Sequence, residues 1–148
     1  MNQLNHTWLT IDCDAIRQVP KVQGHPTRSN SKPQSSRENL SQQFISGMNG
    51  FENWLDKHQS PVTLFIIADM FESKEFSKWV DSILTKYGDR ITIGCHGLTH
   101  RSWSAWPEDS DGFSTALKQA TEIIKQHVGK NWRPWFRAPG GYIAPWMV

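Results

Sequence analysis

Cysteine is scarce in this chain: two of 148 residues, Cys13 and Cys95, too few for a disulfide framework. No apolar run reaches the ~18 residues that would suggest a membrane-spanning helix. The opening stretch, MNQLNHTWLTIDCDA, has neither a basic n-region nor an apolar h-region, which reads as no secretory leader and a cytoplasmic protein. An excess of one charge is also missing: 16 Lys and Arg stand against 14 Asp and Glu, net +2. The basic residues are scattered, so neither nucleic acid nor a membrane surface is implied as a partner. Tryptophan, by contrast, is abundant, with eight copies against two tyrosines.

The length fits one domain over 1–148 with a core of its own. Thr7–Ile11 is rich in β-branched and aromatic residues and predicts a strand running into Asp12-Cys13-Asp14. A polar segment at about 19–39 is dominated by Ser, Pro, Gln and basic residues. It has too little apolar area to order itself and is expected as an exposed loop. Leu40, Phe44, Met48, Phe51 and Leu55 then recur at helical steps. Val62–Ile67 is continuously apolar, as for a strand covered on both sides. Ser73 caps a second helical stripe that Gly88 stops, and Ile91–Cys95 is a third strand. A third helix follows from Phe113 to Val128, and Trp135–Arg137 predicts a fourth strand. Strand and helix alternating in this way define a parallel α/β architecture.

In such folds chemistry gathers at the carboxyl ends of the strands. The notable polar residues fall there: Asp12 and Asp14, His96 and His100, and Arg137. Side chains alternate along a strand, so Asp12 and Asp14 share a face and Cys13 takes the other. The same count sets Thr92, Gly94 and His96 against Ile91, Ile93 and Cys95. His96 and His100, four apart, reach one ion if a helical turn follows the strand. Two imidazoles and one carboxylate with open positions make a catalytic arrangement rather than a closed structural one. Zinc is the default, although manganese, cobalt, iron and nickel fit the same ligands.

Each signal has a plainer reading. His-x-x-x-His arises by chance, and Asp-x-Asp serves equally as a helix cap. Cys13 and Cys95 turn away from the aspartates and suit buried packing better than ligation. His6, His25, His58 and His127 lack partners at ligand spacing and are expected in solvent. Trp103, Trp106, Trp135 and Trp146 stand near the expected rim, where they serve either sugar stacking or the core.

These motifs resemble those of the polysaccharide deacetylase family, carbohydrate esterases that remove acetyl groups from sugar polymers. Thr10-Ile11-Asp12-Cys13-Asp14 looks like an Asp-x-Asp form of the first motif. His96-Gly97-Leu98-Thr99-His100 matches the second, with Gly97 in the Ser/Thr place, and Arg137-Ala138-Pro139-Gly140-Gly141 matches the third. The resemblance implies a distorted (β/α) barrel, incomplete here, with Asp12 as general base and Asp14, His96 and His100 on a divalent metal. It further implies that Arg137 orients Asp12. Pro139, Gly140, Gly141, Tyr142 and Trp103 are then expected at the substrate, an N-acetylated sugar or glycan. A small amide or cyclic imide is the alternative substrate, and a non-catalytic metal- or sugar-binding remnant the alternative function. The family's late Leu-x-His motif, which supplies the general acid, has no counterpart before Val148. His25, in the polar loop, could in principle swing in to replace it.

Overall fold

A computed structural model describes residues 8–29 and 39–148. Four five-residue strands form one parallel sheet in the order of the chain: β1 (Leu9–Cys13), β2 (Val62–Ile66), β3 (Ile91–Cys95) and β4 (Trp132–Phe136). Three helices make the crossovers: α1 (Gln42–Lys57), α2 (Lys74–Tyr87) and α3 (Ser110–Val128). The first strand begins two residues later than the sequence suggests and carries Asp12 inside it; Thr7 and His6 lie outside the described residues. The fourth begins earlier and contains Pro134, which has no N–H to give a neighbour. Pro134 is tolerated because β4 is an edge strand, and the β3–β4 ladder shifts register between Ile93 and Cys95.

Local chemistry accounts for the helix ends. The hydroxyls of Ser41 and Ser73 accept the amides of Phe44 and Phe76, and an Asp109 carboxylate oxygen accepts that of Gly112. Gly88 and Gly129 close α2 and α3 at φ 56° and 53°. The three helices pack on one face of the sheet. Their buried residues, among them Leu55, Phe76, Val80, Ile83, Ala120 and Ile124, meet Cys13, Leu64, Ile66, Ile91, Ile93 and Cys95 in one core.

Among the described residues the sheet is open, with β1 and β4 as its edges, so they form a parallel α/β layer and not the closed barrel. Side chains from the two edges nevertheless meet over the uncovered face. The Trp8 and Trp135 rings are 5.3 Å apart, and Arg137, one residue past β4, reaches Thr10 and Asp12 of β1. Phe65 lies between them, beneath the Arg137 guanidinium. Gly94 leaves room for that ring, since a Cβ there would sit 2.7 Å from it.

The polar segment is not all surface loop. Its described part, up to Ser29, folds back onto the loop after β3. The Gly24 carbonyl accepts the Ser102 amide and the Trp106 indole N–H. Gly24 has φ +85°, and a Cβ there would overlap the His100 carbonyl oxygen, so backbone bonding and glycine dock a segment that apolar burial cannot. Residues 30–38 lie outside the described residues. No described helix is long and apolar enough to cross a membrane.

Candidate metal centre

Three strand ends converge above the sheet. Asp12 is the fourth residue of β1, Asp14 lies one past its end, and His96 follows β3 directly. Asp14 Oδ1 lies 3.5 Å from His96 Nε2, and Asp14 Oδ2 lies 3.4 Å from His100 Nε2. One ligand atom from each of the three falls within 4.8 Å of the others. Both histidines are buried, His96 at 2% and His100 at 3% exposure, whereas Asp14 is half-buried. The two rings stand edge to face with centroids 5.2 Å apart.

The route to that geometry differs from the expected helical turn. Residues 96–100 form a bend in which Gly97 takes φ +100°. A Cβ at Gly97 would press on the Thr99 carbonyl at 2.9 Å and on Pro139 at 3.4 Å. The glycine in the Ser/Thr place of the motif is thus what permits this bend.

Hydrogen bonding fixes the state of His96. Its Nδ1 lies 2.8 Å from the Arg137 carbonyl, an acceptor only, so Nδ1 carries the proton and Nε2 presents a lone pair. Burial holds the His96 pKa below its ordinary value against the pull of Asp14 and Asp12. The neutral ring therefore turns a lone pair toward the Asp14 carboxylate. Asp14 Oδ1 is buried without a hydrogen-bond partner. Two facing acceptors and an orphaned carboxylate oxygen fit a divalent cation, and two nitrogens with one oxygen suit zinc or its neighbours.

Asp12 stands beside this cluster. Its Oδ1 accepts Arg137 Nη1 at 2.7 Å, and its Oδ2 lies 4.0 Å from His96 Nε2. Arg137 is itself fixed by Thr10 Oγ1 at 2.7 Å and by the Phe65 ring face at 4.1 Å. Pro139 is buried against Gly97, while Gly140, Gly141 and Tyr142 form the turn beyond it, Tyr142 largely exposed.

Trp103 is half-buried, with the Arg101 guanidinium over its ring at 4.4 Å and Phe113 in a T-shaped contact at 5.7 Å. Trp146 also packs on Phe113. Both cysteines are buried; burial pushes the Cys95 thiol up to about 11, and burial and the neighbouring carboxylates raise Cys13. His58 and His127 are exposed, as read from the sequence, but His127 stacks on Phe71 and His25 is half-buried.

One group escaped the sequence reading. Asp69, buried just past β2, accepts Gln18 Nε2 at 2.6 Å and Arg17 Nη1 at 3.1 Å. Gln18 in turn accepts the Ala15 amide, next to Asp14, while the Asp69 amide donates to the Leu98 carbonyl between the two histidines. The only signal in the sequence is an aspartate inside the apolar run Leu64–Phe71. A cavity of about 530 Å³ lies between β1 and α1, walled by Ile11, Phe44, Met48, Phe51 and Trp79 and bordered by Asp12 and Asp14.

Fold and cluster together define a parallel α/β protein with a two-histidine, one-carboxylate centre at its strand ends. A family model described as polysaccharide deacetylase matches residues 47–146. The chain belongs to that family, whose domain implies hydrolysis of carbon–nitrogen bonds. The matched stretch contains His96, His100 and Arg137, while Asp12 and Asp14 precede it and join the site through geometry. Searches of curated proteins and of solved structures gave no significant match.

Proposed function

We propose that this protein is a metal-dependent hydrolase that removes acetyl groups from N-acetylated sugars or glycans. Asp14, His96 and His100 are its metal ligands and Asp12 its base. The observation that carries the reading is the gathering of one ligand atom each from Asp14, His96 and His100 within 4.8 Å of one another, with Arg137 clamped on the adjacent Asp12. The open sheet is then a segment of the family's distorted barrel.

When bound, a divalent ion polarises the acyl carbonyl and brings the pKa of a water toward ~7. The remaining work falls to the chain. Arg137 pins one oxygen of Asp12 and leaves the other, on the His96 side, to take the proton of the attacking water. The carbon–nitrogen bond then breaks, acetate is released, and the sugar nitrogen leaves as an amine with a proton taken from solvent. The Arg137 carbonyl keeps His96 in its ligating tautomer. The Gly141 N–H is held by the Ala138 carbonyl, so the charge that develops on the acyl oxygen falls to the backbone N–H of Gly140 or Tyr142.

The test is metal content after zinc reconstitution together with acetate release from N-acetylchitotetraose. The wild type should hold one ion per chain, and His96→Ala should lose at least about a hundredfold in affinity. A wild type that retains no stoichiometric metal overturns the reading. The alternative is a domain that holds the ion without turning substrate over. Metal retention with no acetate release from any N-acetylated oligomer would select it.

A further inference from the structure

Beside the metal centre lies a second cavity, of about 440 Å³, between the docked polar segment and the turns after β3 and β4. His25 and Arg28 come from the segment, Ser102 and Ser104 from the β3 side, and Gly140 and Tyr142 from the β4 side. Ser102 is two residues from His100, and Gly140 is three from Arg137, so the cavity adjoins the site along both loops.

Its chemistry is one-sided. Among the described residues it has an arginine, a histidine and hydroxyls in its wall and no carboxylate. Arg28 is exposed, and its guanidinium has no ion-pair partner among the described residues. His25 Nδ1 accepts the amides of Thr27 and Arg28, each at 3.2 Å, which leaves Nε2–H as the donor. Ser102 is 5% exposed, and its Oγ is buried without a hydrogen-bond partner. A Cβ at Gly140 would lie 3.1 Å from that hydroxyl, so the glycine keeps this wall open.

We infer that this cavity is a substrate subsite for a carboxylate carried on the sugar, and hence that the natural substrate is an acidic N-acetylated glycan. The inference rests on the hydrolase reading for the identity of the reacting group, but the subsite itself is defined by binding. The Arg28 guanidinium matches a carboxylate with two parallel N–H bonds, and the His25 and Ser102 donors complete its lone pairs. A neutral sugar offers oxygen acceptors to these donors but no charge to pair with the guanidinium, so the difference between the two lies in the Arg28 ion pair.

The experiment compares N-acetylchitotetraose with its C6-oxidised form, which has the same backbone but carries carboxylates. Dissociation constants are measured by calorimetry for the zinc-reconstituted wild type and for Arg28→Ala, Arg28→Lys and Arg28→Glu, with acetate release followed in parallel. The wild type should bind the oxidised oligomer about tenfold more tightly than the neutral one. Arg28→Ala should abolish most of that preference, Arg28→Lys should restore part of it, and Arg28→Glu should invert it. Metal content should be the same in all four proteins. Raising the ionic strength should shrink the wild-type preference, because Arg28 is open to solvent. Equal affinity for the two oligomers, or a preference that survives Arg28→Glu, overturns the inference. A preference for the oxidised oligomer with no acetate released from either would overturn the deacetylase reading and leave the subsite standing.

Discussion

Ile93 and His96 lie three residues apart and are equally hidden, at 0% and 2% exposure, yet they face opposite sides of the sheet. Ile93 is surrounded by the aliphatic side chains of the helix layer. His96 is surrounded by acceptors: the Arg137 carbonyl on one nitrogen, the carboxylates of Asp12 and Asp14 on the other. Extent of burial therefore does not separate core from site here; the neighbours do. An apolar side chain gains from any dry surroundings, whereas an imidazole must be met atom by atom or it destabilises the fold. Alternation along five-residue strands lets both demands be satisfied within one short sheet.

That contrast can be broken by substitution on either side. The largest effect belongs to the site face: Asp12→Asn should keep the metal and the fold but lower acetate release by about 10²–10⁴-fold. Undiminished turnover would remove Asp12 from the role of base. On the helix face, Ile93→Ala leaves a hole that the rigid sheet cannot close and should cost about 2–5 kcal/mol in urea unfolding. A loss below ~1 kcal/mol would mean the helix layer is loosely packed.

The cysteines sharpen the assignment of faces. With Cys95 pushed up to about 11 by burial, its thiolate is scarce near neutral pH and becomes more abundant only as pH rises toward that value. Disulfide reagents at pH 8 should label the native protein at least about a hundredfold more slowly than the urea-unfolded chain. Fast native labelling would put the thiols on the open face. The smallest effect belongs to neither face. Ser73→Ala, at the N-cap of α2, should cost about 1 kcal/mol and leave metal content untouched.

The alternation of strands and helices was legible because apolar spacing and caps are local: Ser73, Gly88 and Gly129 do in the structure what their positions suggest. The pairing of Asp14 with His96 and His100 was legible because strand ends in parallel α/β sheets share one rim. Less was visible where contacts are long-range. The helical turn expected after β3 is a glycine bend, since Pro139 and the Thr99 carbonyl crowd Gly97. Arg101 lies over one face of Trp103, which local sequence does not encode. Asp69 joins the loops carrying Asp14 and the histidines, but a single aspartate in an apolar run does not announce its partners.

By itself the sequence determined the parallel α/β class, the faces of Asp12, Asp14 and His96, and the family, because periodicity and motif spacing are properties of neighbours along the chain. The resemblance implied that Arg137 orients Asp12, and the structure supplies the contact across 125 residues. Only the tertiary structure decided that Thr10 and the Phe65 ring hold Arg137 and that His96 keeps its proton on Nδ1. It also decided that the segment around Gly24 packs against His100 rather than standing in solvent. Those outcomes depend on hydrogen bonds between distant backbone and side-chain groups, whose geometry exists only once the sheet has brought its strand ends together.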